Sequence, residues 1–326
     1  MSDLKKRILS LVKNDLDEIE TALLENLHPN LGLVSNVAHH ILFSGGKRLR
    51  PLLMVLSARL CGYRGDYDKT FSVIFEYLHA ATLLHDDLVD GADLRRGKPV
   101  AHAVWGNEIA VLVGDFLLAR GLSIAAETGE PRIIKIIAEI TENMSQGEIL
   151  QIDRKGKVDL TQTEYMDIIK CKTAVLFQGA CRISAILAGA SEEKETALAQ
   201  YGYHLGMAFQ MVDDLLDYTF DTEALGKTVG ADLREGKLTL PVIIALSKAE
   251  SGERDSMQKI IRDEQFTPND FRWLVEKISE HGGFEYTRAL AREHTANACR
   301  AIGLFPASVT RDVMLDIAAY ALDRTA

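Results

Sequence analysis

Apolar residues recur at intervals of three and four along almost all of this chain, and that rhythm restricts it to helices. Leu4, Ile8, Leu11, Leu16, Ile19 and Leu23 fall near one face of a period of about 3.6 residues, with lysines, aspartates and glutamates between them. The same pattern predicts helices near 47–62, 66–90, 106–127, 131–152, 162–189, 193–220, 239–249, 267–281, 283–302 and 307–323. Helix-ending or helix-starting residues punctuate them: Gly45-Gly46, Gly62, Gly129-Glu130-Pro131, Ser251-Gly252, and Thr267-Pro268, a cap followed by proline at the first helical position. No stretch alternates polar with apolar between hairpin dipeptides, so the fold class is all-α. Without a fixed-period repeat, a low-complexity tract or a Pro/Gly-rich linker, a single domain over 1–326 is expected. Segments 43–50, 91–100 and 221–238, rich in glycine and basic residues, read as ordered loops.

A net charge of −10 argues against nucleic acid, whose phosphates need a basic face. Small polyanions remain open if the cations are gathered in one place. Cys61, Cys171, Cys181 and Cys299 are scattered, with no metal or disulfide spacing, and read as reduced thiols of a cytoplasmic protein. The N-terminal stretch is polar and amphipathic, unlike a signal core. No run is read as reaching the roughly 20 apolar residues of a membrane span, so a soluble protein is expected.

The chemistry gathers at two aspartate clusters. Leu84-His85-Asp86-Asp87-Leu88-Val89-Asp90 closes a long apolar stretch, and Asp86 and Asp90 share a helical face about 6 Å apart along the axis. Like charges at that spacing, at a helix C-terminus, oppose both each other and the helix dipole, so a bound cation is the economical compensation. Asp213-Asp214-Leu215-Leu216-Asp217 repeats the D-D-x-x-D pattern in a second apolar run. Such carboxylates suit magnesium bridging to substrate phosphates. A solvated acidic helix end is the bland alternative for either cluster alone; two in one helical chain weaken it.

Cations sit near by in sequence: Lys47, Arg48 and Arg50 after Gly45-Gly46, Arg95-Arg96-Gly97-Lys98 after Asp90, then Gly226-Lys227 and Gly236-Lys237. Guanidinium forks and ammonium groups both match phosphate oxygens. Taken singly, each reads as a solvent-facing charge. His79, Lys172-Thr173 and Phe209-Gln210 likewise read, by themselves, as core-edge residues.

Together these residues resemble the trans-isoprenyl diphosphate synthases, or polyprenyl synthetases, and in particular their long-chain octaprenyl and polyprenyl members. The matches are Gly45-Gly46-Lys47-Arg48-Leu49-Arg50-Pro51, His79 with Asp86–Asp90 and Arg95-Arg96-Gly97, Lys172-Thr173, Phe209-Gln210 with Asp213–Asp217, and the Gly226-Lys227 to Pro241 run. They occur in the family's order over 45–241 with no departure at a motif position. The resemblance implies an isoprenoid-synthase-type bundle of mostly antiparallel helices around a deep central cavity. It implies a transferase that joins isopentenyl diphosphate to an allylic diphosphate. On that reading Asp86, Asp90 and Asp213, with Asp214 and Asp217 assisting, hold about three magnesium ions. Arg95, Lys172, Lys227 and Lys237 hold or guard the allylic diphosphate, and Lys47, Arg50, His79 and Arg96 take isopentenyl diphosphate. Thr173 and Gln210 line the reacting carbons, and Phe209 the cavity wall.

Ala81 lies five residues before Asp86, about 7.5 Å deeper along the helix, and Thr82 is also small, which implies a long product of roughly thirty to fifty carbons. The tunnel floor is expected further down, near Leu117 and Leu118. A quinone side chain as destination, a homodimer and transient membrane contact for product release follow from the same resemblance. The alternatives are a short-chain farnesyl or geranylgeranyl synthase, a terpene cyclase, a His-Asp phosphohydrolase built on His39-His40 and His85-Asp86, and a non-catalytic partner subunit. The phosphohydrolase leaves the second cluster without a role, and a partner subunit would have lost one cluster.

Overall fold

The computed structural model describes residues 3–65, 67–218, 230–263 and 265–323. The described chain is all-α. Its helices are α1 (Asp3–Glu25), α2 (Gly32–Leu42), α3 (Leu49–Leu60), α4 (Tyr67–Val89), α5 (Ala101–Trp105), α6 (Asn107–Glu127), α7 (Pro131–Arg154) and α8 (Gln162–Ile169). A π-helical turn, Lys170–Ala174, leads into α9 (Val175–Leu187) and α10 (Glu192–Leu216). Then come α11 (Ala231–Arg234), α12 (Leu240–Lys248), α13 (Ser251–Ile261), α14 (Pro268–Glu280), α15 (Gly283–Ala301) and α16 (Val309–Leu322). Strands β1 (Leu94–Arg95) and β2 (Lys98–Pro99) form an antiparallel hairpin inside the 91–100 loop, where no strand was expected.

The chain falls into two compact units. The first comprises Met1–Thr141, Leu176–Gly202 and Ile302–Ile317; the second comprises Glu142–Val175, Tyr203–Ala301 and Ala318–Ala326. Within the first, α4 is the central element, packed by α1, α2, α3 and α6. Phe71, Phe75, Tyr77, Leu78, Ala81 and Leu84 are buried along it, and the Tyr77 hydroxyl donates to the Leu23 carbonyl at 2.7 Å. Two glycines bring α6 close to α4. A Cβ at Gly114 would lie 2.2 Å from His85 Nε2, and one at Gly121 would lie 3.6–3.7 Å from Ile74 and Leu78. These pairings run in opposite senses, so the helices are antiparallel and Leu117 stands level with Ala81 rather than below it.

Helix α6 corrects one expectation. Within its 21 residues an 18-residue window reaches a mean hydropathy of 1.8, which by length and composition is enough to cross a membrane. Only 39% of that window is buried, and Val111, Leu112 and Leu122 lie exposed. The glutamate, aspartate and arginine along the helix hid this run from inspection, because each interrupts the apolar string without lowering its mean by much.

In the second unit α12 is the hub, touched by α8, α14 and α15. Leu240, Val242, Ala245, Leu274, Ile278 and Ala291 belong to its core. Gly283 allows the closest approach: a Cβ there would meet the Pro241 carbonyl oxygen at 2.2 Å. Thr267 and Asp270 complete a capping box that starts α14, as the Thr267-Pro268 pair predicted.

Candidate functional site

In the first unit α4 carries functional groups over its last three turns. Asp86 and Asp90 are both partly exposed, as four-residue spacing on one face requires. Asp87, a third of a turn round, is buried at 3% exposure and faces the other way. Its carboxylate takes a fork from Arg95, with Nε to Oδ1 and Oδ2 at 2.9 and 3.0 Å and Nη2 to Oδ1 at 2.6 Å. Arg95 reaches this position from β1, and the hairpin places Arg96 at its tip with a left-handed φ of 53°.

The Gly45–Pro51 loop is organised by Arg48, which is 6% exposed, has φ 47° and stands just before α3. Its guanidinium binds Glu20 on α1 (2.6 and 3.2 Å), Glu76 on α4 (2.7 Å) and the Leu42 carbonyl (2.6 Å). Burial alone would lower its pKa, but the Glu20 and Glu76 carboxylates hold it raised. Arg48 is therefore the brace of the loop, leaving Lys47 exposed and Arg50 partly exposed beside the Phe177 ring at 4.8 Å.

His79 occupies the middle of this cationic group. Burial, then the charges of Arg50, Arg95, Arg96 and Arg48, push its pKa well below the usual imidazole range. It is held neutral among four guanidiniums, an arrangement that attracts an anion and supplies a neutral hydrogen-bonding ring. Arg96 itself is lowered by burial and by Arg95. Two and three residues further along α4, on the Asp86 side, Ala81 is fully buried and the Thr82 hydroxyl donates to the His79 carbonyl at 2.8 Å.

The second unit holds the other predicted residues. Asp213 is exposed, Asp217 partly so, and Asp214 between them is buried at 5% exposure. Asp217 also accepts from the backbone N–H groups of Ala231 and Asp232, both at 3.1 Å, and so ties α10 to α11. Tyr165 donates to Asp214 Oδ2 at 2.5 Å, Gln210 Nε2 donates to Oδ1 at 2.8 Å, and Thr173 donates to Gln210 Oε1 at 2.8 Å. Burial raises the Asp214 carboxyl to about 7; the Tyr165 and Gln210 bonds pull down, and the Asp213 and Asp217 charges push up.

Lys172 and Thr173 sit on the π-helical turn, an irregularity common at functional sites because it re-aims successive side chains. Lys172 Nζ contacts Glu148 at 2.5 Å and Gln151 at 2.8 Å, both on α7. Gly147 permits that approach: a Cβ there would meet Cys171 Cβ at 2.7 Å and Lys172 N at 3.0 Å. Phe209 is partly buried beside Gln210, and Lys237 pairs with Glu235 at 2.7 Å. Lys227 lies outside the described residues.

Sequence reasoning missed Arg48 as a brace, Glu76, Glu148, Gln151 and Tyr165, and it missed the inward turn of Asp87. Glu76 left a signal, being the lone charge in the apolar run Phe71–Ala81. Tyr165 left none.

Comparison with known proteins accounts for this set of groups. The polyprenyl synthetase family model matches residues 32–278. Octaprenyl diphosphate synthase of Escherichia coli is 38% identical over 323 residues, covering 98% of both chains. The geranyl-diphosphate-specific all-trans-nonaprenyl-diphosphate synthase of Rhodobacter capsulatus is 37% identical, covering 99% of this chain and 98% of its own. A crystal structure of polyprenyl synthase from Caulobacter crescentus, complexed with calcium and isoprenyl diphosphate, superposes with a TM-score of 0.91 at 39% identity, covering 98% of each chain. Matched by the family model over 32–278, and in sequence and fold along nearly its whole length, the chain belongs to the polyprenyl synthetase family.

Proposed function

We propose that this enzyme condenses isopentenyl diphosphate head to tail with an allylic diphosphate, with (E) geometry, and repeats the step to a long-chain polyprenyl diphosphate. One observation carries the reading: helix α4 presents two chemically different handles for diphosphate. The Asp86/Asp90 pair suits a metal-bridged diphosphate, whereas Arg50 and Arg96 beside neutral His79 suit a second one bound directly.

Among the described residues no three His, Cys, Asp or Glu side chains gather to hold an ion by themselves. Two carboxylates suit magnesium, which keeps waters and takes its remaining oxygens from substrate phosphate. Asp86, Asp90 and Asp213 would hold the ions, with Asp217 assisting. The ions supply charge neutralisation to the departing diphosphate.

The protein's own groups do the rest. Arg95 and Lys172 hold the allylic diphosphate, with Lys227 and Lys237 beside it in the sequence motif. Lys47, Arg50, Arg96 and neutral His79 orient isopentenyl diphosphate so that its alkene faces the allylic carbon. Thr173 and Gln210 turn oxygen dipoles towards the charge that develops there. The released diphosphate takes the proton, since the imidazole nearest the substrates sits among arginines.

The relatives' long products and the small Ala81 support a long chain, for which a quinone side chain is the destination we favour. The exposed Val111, Leu112 and Leu122 on α6 suit a homodimer interface, and transient membrane contact during product release and a cytoplasmic location are carried over from the resemblance. Incubating the pure protein with magnesium, isopentenyl diphosphate and farnesyl diphosphate, then resolving products by length, tests the reading. Elongation to about thirty carbons or more supports it, and hydrolysis or cyclisation alone overturns it.

A further inference from the structure

The two D-D-x-x-D motifs share a feature that their spelling conceals. In each, the middle aspartate is buried and bound to a neighbouring side chain: Asp87 by Arg95, Asp214 by Tyr165 and Gln210. Asp214 has one oxygen taken by each partner, at 2.5 Å and 2.8 Å, and only 5% of the residue is exposed. Asp213, next to it, is exposed. Adjacent helical residues point about 100° apart, so a helix that offers Asp213 to a ligand turns Asp214 away from it.

We propose that Asp214 is a buried anchor rather than a magnesium ligand, and that Tyr165 clamps it so that it positions Gln210 and, through Gln210, Thr173. The inference rests on the condensation reading above, and it assigns Tyr165 a part in that reaction.

The polarity of the chain gives the mechanism. Asp214 Oδ1 accepts from Gln210 Nε2, which fixes the amide with its oxygen towards Thr173. Thr173 donates its only hydroxyl proton to that oxygen. Its Oγ1 then has lone pairs and no proton left to offer, the right polarity towards a developing allylic cation and the wrong one towards an anion. A free glutamine could flip its amide and reverse this order; Tyr165 prevents that by holding the carboxylate in place from the opposite side. Thr173 sits on the π-helical turn and Gln210 on α10, so the chain also spans two elements whose backbone hydrogen bonds do not otherwise fix them together.

Two nearly isosteric variants test it. Tyr165→Phe removes the clamping hydroxyl, and Asp214→Asn lets the anchor present a donor where it now accepts. Each should lower kcat about ten-fold or more, with KM for both diphosphates and the half-activating magnesium concentration changed less than two-fold. Asp213→Asn, by contrast, should raise the half-activating magnesium concentration several-fold. A several-fold rise of that concentration in Asp214→Asn makes Asp214 a metal ligand and overturns the proposal. Unchanged kcat in both variants also overturns it, as does loss of the folded state in both, which would assign the network to stability alone. Failure of the wild-type protein to elongate any allylic diphosphate would sink the condensation reading instead, and is seen before any variant is made.

Discussion

Arg48 shows how much of a loop can depend on one buried side chain. Its guanidinium is buried and joined to Glu20, Glu76 and a backbone carbonyl. Removing it leaves the buried Glu76 carboxylate uncompensated. Arg48→Ala should therefore cost about 3 kcal/mol or more of folding free energy, read in urea titrations, and should weaken isopentenyl diphosphate binding as the loop loosens. Arg48→Lys should recover only part, since an ammonium cannot reproduce the fork. Charges facing substrate behave differently. Asp86→Ala and Asp213→Ala should each lower turnover by orders of magnitude with the helical circular dichroism unchanged. Lys47→Ala or Arg50→Ala should chiefly raise KM for isopentenyl diphosphate, and Arg95→Ala that for the allylic substrate; a shared effect on one KM would refute the division. Contiguous motifs made the outward placement of Asp86, Asp90 and Asp213 legible, because spacing on a helix fixes which residues share a face. What the spacing did not reveal is the partner that binds each inward-turned aspartate, Arg95 for Asp87 and Tyr165 with Gln210 for Asp214.

Most helices were legible at the level of elements, because a buried stripe repeats every three to four residues whatever lies around it. The exceptions are α2, α5, α11 and α13, which have no counterpart in the predicted set, and the helix predicted at 162–189. α13 (Ser251–Ile261) buries only Met257 and Ile261, too little apolar signal to stand out. The predicted helix at 162–189 is interrupted by the π-helical turn, whose extra residue is accommodated by the empty space over Gly147 on α7. Gly147→Ala should thus displace Lys172 and lower kcat several-fold, while Gly252→Ala, in open space on α13, should be neutral or stabilise by up to about 1 kcal/mol. A pH effect belongs to the α10–α15 pair. His204 Nδ1 and His294 Nδ1 lie 2.9 Å apart, so at most one carries the shared proton. Burial and then the neighbouring His204 lower His294 to about 4. Its folded pKa is below its unfolded value, so the stability it contributes is present above about pH 6.5 and is lost as pH falls towards 4. The midpoint of thermal unfolding should accordingly fall between pH 7 and pH 5, and His294→Gln should flatten that slope.

For the molecule as a whole, the open question of specificity is how far a product can grow before it is released, and α4 and α6 frame it. On the proposed reading, a tail starting at Asp86 and Asp90 would run back along α4 past Ala81, which is fully buried. The antiparallel register puts Leu117 of α6 at that same level. The next side chains deeper are Leu78 and Ile74, opposite Gly121, where a missing side chain leaves ordinary van der Waals room. Ala81 is small but Leu117, also fully buried, stands beside it, so this level is the first place where residue size on α4 can set product length. Ala81→Tyr would place a ring across the path and should move the main product to short chains while isopentenyl diphosphate is still consumed. The ring enters a packed region, so about 1–3 kcal/mol of stability should be lost as well. Product length by chromatography and the midpoint of thermal unfolding separate the two effects. A folded Ala81→Tyr enzyme that still makes the wild-type product would show that the tail does not run along α4, and a wild-type enzyme that stops at fifteen carbons would show that something above Ala81 already closes the path.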